Sequence, residues 1–282
     1  TRHDVEIRNG PIKPEFLQKQ VRVARAPSKD QSYWAVSPEM PFGDVLAQRF
    51  GKHVAHPVKD NWATVFASLI PIKDDAELKK IDSQTKWKTT RKADNGEAWP
   101  VKKLPAGYHW ATRTKNTVGA IYALGIDIDD GTRFEDACAA VEKLDTLALL
   151  YTTHSHGSRS LDFSYARLRA WSEANGTVIE KEDLTTEDVR AFLTAEGKYK
   201  PHVIASARFN RWEQTPRGFL VFVDIAPIDK LRIVFLLDKP YDIASFKMEF
   251  RDIETQWREI VLGVGKMLDV KPDKAATDLC RL

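Results

Sequence analysis

Apolar positions concentrate in short blocks along this chain, and the clearest blocks lie between residues 118 and 153. Val118–Ile128 is almost unbroken apolar sequence, as expected of a strand buried on both faces. Phe134, Ala137, Cys138, Val141 and Leu144 recur at helical spacing and predict a helix over 134–144 with one apolar face. Thr146–Thr153 is a second apolar block of strand length. Strand, helix and strand in this order read as a β-α-β unit, whose second strand can lie beside its first. Leu220–Ile225 and Leu231–Leu237 predict two more strands, joined by residues 226–230. Asp242–Leu262 carries a long amphipathic pattern, interrupted near Gly263 and Gly265. Residues 157–218 are polar and helix-prone. Within them Thr185–Asp188 stands before Val189–Leu193 as a capping box stands before a helix.

The first hundred residues are less regular. Val21–Arg25 alternates like an edge strand, Phe42–Phe50 predicts a short helix, and the apolar run Asn61–Ile70 fits either strand or helix. Residues 72–103 are rich in Lys, Asp and Thr around Trp87 and Trp99, which predicts an exposed loop or flap.

Composition narrows the classes. At 282 residues the chain suits one compact unit built from two lobes, divided near residue 106. Its 43% apolar and 29% charged residues are those of an ordinary globular protein. A net charge of +3 permits a nucleic-acid partner without demanding one. The two cysteines, Cys138 and Cys280, are too few for a zinc site or a disulfide framework. No apolar run approaches membrane-spanning length, and Thr1–Gly10 is unlike a signal peptide, so a cytoplasmic location is expected. The helix-like pattern stops abruptly at Thr277–Leu282, so further sequence is expected to follow in the natural protein.

The chemistry-bearing residues sit at the ends of the predicted strands. Asp127 and Asp129 close the first strand, and side chains at i and i+2 share one face about 6–7 Å apart. Two carboxylates so placed repel one another unless a cation is shared between them, and hard divalent cations take such oxygen ligands. Acids capping a strand end in solvent would give the same doublet. The next strand ends Tyr151-Thr152-Thr153-His154-Ser155-His156, with Thr152, His154 and His156 on one face. A histidine there suits phosphate binding or proton transfer. Two surface histidines in a turn would look no different. Arg232 lies inside the apolar strand Leu231–Leu237, where it needs an anion: a triphosphate or an ordinary ion pair. Asp269 follows Met267-Leu268, with Asp273 and Asp278 soon after, and any of them can add a third carboxylate.

Taken in order, these pieces resemble the archaeo-eukaryotic primase superfamily, and in particular the primase-polymerase (prim-pol) domains of phage and plasmid replication proteins. The motifs that carry the resemblance are Asp127-Ile128-Asp129, then Thr152-Thr153-His154 or the shifted His154-Ser155-His156, then Leu268-Asp269. The string Tyr151–Ser155, Arg232 in its apolar strand, Arg113–Val118, and Asp278-Leu279-Cys280-Arg281-Leu282 are similar too. The match spans roughly 107–162 and 230–282, leaves residues 1–106 aside, and makes 157–230 a helical, polar insertion. The resemblance implies an α+β fold, with an RRM-like catalytic sheet packed on a mixed α/β N-terminal lobe. It implies template-directed nucleotidyl transfer, as DNA primase, DNA polymerase or both. In that scheme Asp127, Asp129 and Asp269 hold two Mg²⁺ or Mn²⁺ ions, and Thr152, His154 or His156, and Arg232 contact the nucleotide phosphates. The implied partners are a single-stranded DNA template, a primer strand, NTPs or dNTPs, and a helicase domain beyond Leu282. Residues 86–103 would then stack on the template.

Other readings remain open at this stage. A rolling-circle Rep or relaxase nuclease uses two histidines flanking one residue, which His154-Ser155-His156 imitates, but it leaves Asp127 and Asp129 without a job. A haloacid-dehalogenase phosphatase needs Asp-x-Asp-Gly-Thr, and Asp130 displaces the threonine by one position. A calcium loop places its glycine sixth, whereas Gly131 is fifth from Asp127. A non-catalytic nucleic-acid-binding module would leave the acids solvated.

Overall fold

The computed structural model describes residues 14–26, 33–50, 63–72, 104–113, 117–144, 146–153, 156–216 and 218–273. Of the flap expected over 72–103, residues 73–103 lie outside the described residues, as do His154, Ser155 and the string 278–282. The chain is mixed α+β with antiparallel sheets.

Two compact units share the chain discontinuously. The first comprises residues 1–125, 234–261 and 274–282; the second comprises 126–233 and 262–273. The division expected near residue 106 falls inside the first unit. Two long strands, β8 (Val118–Ile128) and β13 (Leu231–Asp242), contribute to both.

In the first unit the described residues open with α1 (Pro14–Leu17). It then forms β1 (Gln20–Val21), β2 (Ala24–Ala26), β3 (Tyr33–Val36) and β4 (Met40–Pro41). The helix expected over 42–50 is present as α2 (Phe42–Val45), continued by a π-helical turn over 46–50. The ambiguous run 61–70 resolves into two short strands, β5 (Ala63–Val65) and β6 (Ala67–Leu69). With β7 (His109–Thr112) these strands make an antiparallel sheet in the order β5-β2-β3-β7. The sheet buries Trp34, Val36 and Ala111 completely. Ser37 is buried among them without penalty, because its hydroxyl accepts from the Val23 N–H (3.0 Å) and donates to the Pro38 carbonyl (2.8 Å).

The apolar block 118–128 forms β8 as its pattern predicts, and 134–142 and 148–152 form α3 (Phe134–Glu142) and β9 (Ala148–Thr152). One expectation needs correction. β9 does not lie beside β8: the sheet order is β6-β8-β13-β9, so β13 inserts between them. Local periodicity records which segments are strands but not which neighbour each one pairs with.

The second correction concerns 157–218. The strand expected over 220–225 is present as β12 (Gly218–Ile228), but the polar, helical reading misses its two antiparallel partners, β10 (Ser158–Ser164) and β11 (Arg208–Thr215), which complete a three-stranded sheet in the order β10-β12-β11. Its helices are α4 (Tyr165–Ala174), α5 (Thr186–Glu196) and α6 (Pro201–Ser206). Leu161, Phe163, Leu168, Val189, Phe192, Val221 and Val223 belong to one buried core. Each fully buried side chain of this size contributes about 1.5–3 kcal/mol. The edge strands escape notice because β10 carries only two buried residues and β11, Arg-Phe-Asn-Arg-Trp-Glu-Gln-Thr, has none. The capping box is present as expected. The Thr185 hydroxyl accepts from the Asp188 N–H (3.2 Å), the Asp188 carboxylate accepts from the Thr185 N–H (2.9 Å), and Gly197 ends α5 in the left-handed region.

The third correction is at the C-terminal helix. The helix α7 (Phe250–Met267) runs through Gly263 and Gly265 without interruption. It stops in a Schellman turn: Asp269 N–H donates to the Lys266 carbonyl (3.2 Å) and Val270 N–H to the Gly265 carbonyl (2.9 Å). Asp269 takes the left-handed position (φ 53°) usually given to glycine. The chain then doubles back, and Pro272 packs where a Gly265 side chain would be. A Cβ there would lie 2.4 Å from Pro272 Cγ and 2.6 Å from its Cδ. Gly265→Ala would ordinarily stabilise a helix by about 0.5–1 kcal/mol. Here it is expected to destabilise by about 1–3 kcal/mol. Urea denaturation checks this, and an unchanged or higher midpoint would contradict the packing.

Candidate functional site

The sheet order brings the sequence motifs to one place in the second unit. Asp127 lies at the end of β8, Arg232 at the start of β13, and Tyr151 and Thr152 at the end of β9. The segment after α7 returns alongside: Ile128 bridges to Pro272, and the Asp273 N–H donates to the Asp127 carbonyl (3.0 Å). Alternation along β8 buries Ile126 and Ile128 fully and turns Asp127 to the other face, and Asp129 follows just past the strand end; both aspartates are part-buried.

Arg232 finds its anion in Asp127. Nε reaches Oδ1 at 2.5 Å and Nη2 reaches Oδ2 at 2.6 Å, a bidentate, charge-assisted pair. The Tyr151 phenol is also hydrogen-bonded to the guanidinium. Burial pushes the Tyr151 phenol above its ordinary pKa, and Arg232 opposes that shift only in part. Burial works against the charge on Arg232 too. Its bonds to Asp127 and Tyr151 outweigh that effect and hold its pKa above the usual arginine value, so the guanidinium stays charged throughout the physiological range.

The loop after Asp129 is organised by a residue whose role sequence reasoning missed. Asp130 is buried, its Oδ1 accepting from the Thr132 N–H (2.8 Å) and hydroxyl (2.6 Å) and its Oδ2 from the Lys271 N–H (3.2 Å). Its carbonyl accepts from the Lys200 N–H (2.9 Å). Gly131 adopts φ +87°, and a Cβ there would sit 2.3 Å from Val203 Cγ2, so α6 packs directly on this turn. The sequence signal was the Asp-Gly pair itself, which reads as a turn.

The remaining candidates are placed as follows. Thr152 is exposed at the end of β9. His156 Nδ1 faces Asp229 Oδ1 at 3.5 Å, and Asp229 Oδ2 accepts from the Phe134 N–H (2.8 Å) at the start of α3. Asp229 therefore links the second motif to the helix that follows the first, a role its place in a short connector did not signal. The Thr153 N–H donates to the Lys230 carbonyl (2.8 Å), fixing the end of β9 beside the start of β13. Asp269 projects fully into solvent, and its carboxylate accepts from Lys200 Nζ (3.2 Å). Lys271 Nζ donates to the Gly197 carbonyl. Next to Asp129, the Tyr199 phenol is raised by burial and opposed by Lys198, whose ammonium lies 5.1 Å from the ring centroid. A cavity of about 300 Å³, lined by Arg190, Ser206, Arg208 and Asp224, contains none of the residues singled out from the sequence.

As a metal site the arrangement fits in part. Among the described residues no three of His, Cys, Asp and Glu gather as a metal-binding group, so Asp269 does not join Asp127 and Asp129 in one. The two strand-end carboxylates are nonetheless the donor set that Mg²⁺ takes when water and substrate phosphate supply its other ligands.

Compared with protein-family models, with curated proteins and with solved structures, the chain matches none. Among the described residues no helix is long and apolar enough to cross a membrane.

Arg232→Met leaves the Asp127 carboxylate part-buried without its counter-ion. It is expected to lower stability by about 1–3 kcal/mol. Adding Asp127→Asn should recover part of that loss. A double-mutant cycle by chemical denaturation measures the coupling, and a value near zero would mean the pair does not form in solution.

Proposed function

We propose that the protein is a template-directed nucleotidyltransferase of the primase-polymerase type, acting at the junction of β8, β13 and β9, with these strands as an RRM-like catalytic sheet. One observation carries the proposal. Motifs separated by scores of residues converge: Asp127 and Asp129, Tyr151 and Thr152, Arg232, and the returning segment 270–273 meet at one end of one sheet. An exposed doublet of solvated acids needs no arginine on the adjoining strand and no part-buried tyrosine beside that arginine. A histidine-pair nuclease gives Asp127 and Arg232 no task.

Asp127 and Asp129 are the residues that hold Mg²⁺ or Mn²⁺, which when bound supplies charge neutralisation for phosphoryl transfer. Ligation falls to this pair, since Asp269 is engaged with Lys200. Arg232 binds the phosphates of the incoming NTP or dNTP, where its planar fork matches phosphate oxygens. Tyr151 keeps the guanidinium oriented. The Thr152 hydroxyl, exposed at the strand end, donates to the same phosphates. His156, held by Asp229, is positioned to take part in the same phosphate contacts, and His154 two residues earlier belongs to the same motif. The α+β module 158–228 docks α6 on the Gly131 turn and so borders the site, and we assign it the contact with a single-stranded DNA template or primer.

The test is synthesis on single-stranded DNA with labelled NTPs or dNTPs, Mg²⁺ or Mn²⁺, with and without primer. Metal-dependent product is expected from the wild type and none from Asp127→Ala or Asp129→Ala. Wild-type activity in either variant would overturn the site assignment, and template cleavage or a covalent tyrosine–DNA adduct would point to the Rep-type nuclease.

A further inference from the structure

We infer that Arg232 is an exchangeable counter-ion: it neutralises Asp127 when no cation is bound, and it is released to the substrate phosphates when Asp127 takes a divalent cation. This inference rests on the nucleotidyltransferase reading above and adds to it an obligatory order of contacts within the site.

The geometry makes the two uses of Asp127 antagonistic. Both carboxylate oxygens are engaged by the guanidinium, one by Nε and one by Nη2. A divalent cation on either oxygen would lie within a few ångströms of a fixed positive charge, and like charges at that separation in a partly desolvated site repel strongly. Cation and guanidinium therefore compete for the same carboxylate.

Arg232 also has somewhere to go. Its side chain is 32% exposed and that of Asp127 is 23% exposed, so the pair borders solvent rather than lying sealed in the core. Tyr151 supplies a second hydrogen-bond partner that does not depend on Asp127. A guanidinium leaving Asp127 thus keeps one anchor on β9 while its fork turns to an anion. Charge balance favours the same exchange. Asp127, Asp129 and Arg232 together carry one net negative charge. Once the arginine is released, the two carboxylates match a divalent cation, and the arginine matches the triphosphate that arrives with it. A purely structural role explains the pair less well, because partly buried ion pairs add little net stability over apolar residues of similar size.

Cation and nucleotide affinities are then coupled through Arg232, each strengthening the other. The direct readout is the Arg232 Nε–H signal in ¹⁵N–¹H NMR of the wild-type protein, assigned by its loss in Arg232→Lys. Titration with Mg²⁺ is expected to shift that signal as the bidentate pair opens, and Asp129→Asn should weaken the response. In parallel, calorimetric titration with Mn²⁺ should show about tenfold tighter binding to Arg232→Met than to wild type. Arg232→Lys, which keeps the charge and loses the fork, should lie between them.

Two negative outcomes are distinguishable. Mn²⁺ binding that is lost in Asp127→Asn, together with an unmoved Arg232 signal and unchanged affinity in Arg232→Met, overturns the exchange and leaves the metal site standing. No cation binding attributable to Asp127 overturns the exchange and the metal assignment together.

Discussion

An ionised guanidinium in an apolar strand must have an anion, since leaving it unpaired costs far more than the strand gains from its neighbours. In this protein that requirement is met by Asp127, and the surrounding arrangement follows from it. For Arg232 to reach Asp127, β13 must lie against β8, which moves β9 one place outward in the sheet. With β9 on the far side of β13, Tyr151 comes behind the guanidinium, and its phenol hydrogen-bonds to the same group. The ion pair thus couples strands that are remote in sequence, and it does so at the strand ends, where side chains meet solvent and a ligand can approach.

Around this pair the backbone is held by groups that have no part in the proposed chemistry. Asp130 spends its carboxylate on Thr132 and Lys271, so the turn after Asp129 is fixed from within. The Schellman turn at the end of α7 sends the chain back so that Pro272 and Asp273 run beside Ile128 and Asp127. Gly265 and Gly131 are each required by a close approach, of Pro272 in one case and Val203 in the other. Both glycines bring a separate segment against the end of β8. Such support matters for any site that must hold two carboxylates at a set separation, because their mutual repulsion would otherwise spread them.

The module between β9 and β13 has its own core and its own sheet, yet it is not merely appended. Its α5–α6 connection carries Lys200, whose backbone N–H donates to Asp130 and whose ammonium donates to Asp269. Through α6 it also closes on Gly131. Changes in this module can therefore reach the aspartate loop through contacts rather than through distance.

What the sequence alone determined was local. The unbroken apolar run of β8, the helical spacing of α3, and the Thr185–Asp188 capping box are each decided by neighbours within a few residues, and each is present. The sequence also showed that Arg232 needed an anion, because the burial of a charge is a local rule. Only the tertiary structure decided that the anion is Asp127, that β13 parts β8 from β9, that Asp130 is a loop organiser, and that α7 passes through its glycines. It also turned a polar stretch into β10 and β11. Most of these outcomes depend on partners far along the chain, up to 141 residues away for Asp130 and Lys271. Edge strands exposed on one or both faces leave little hydrophobic period to read, and a carboxylate's role is set by the donors that packing brings to it.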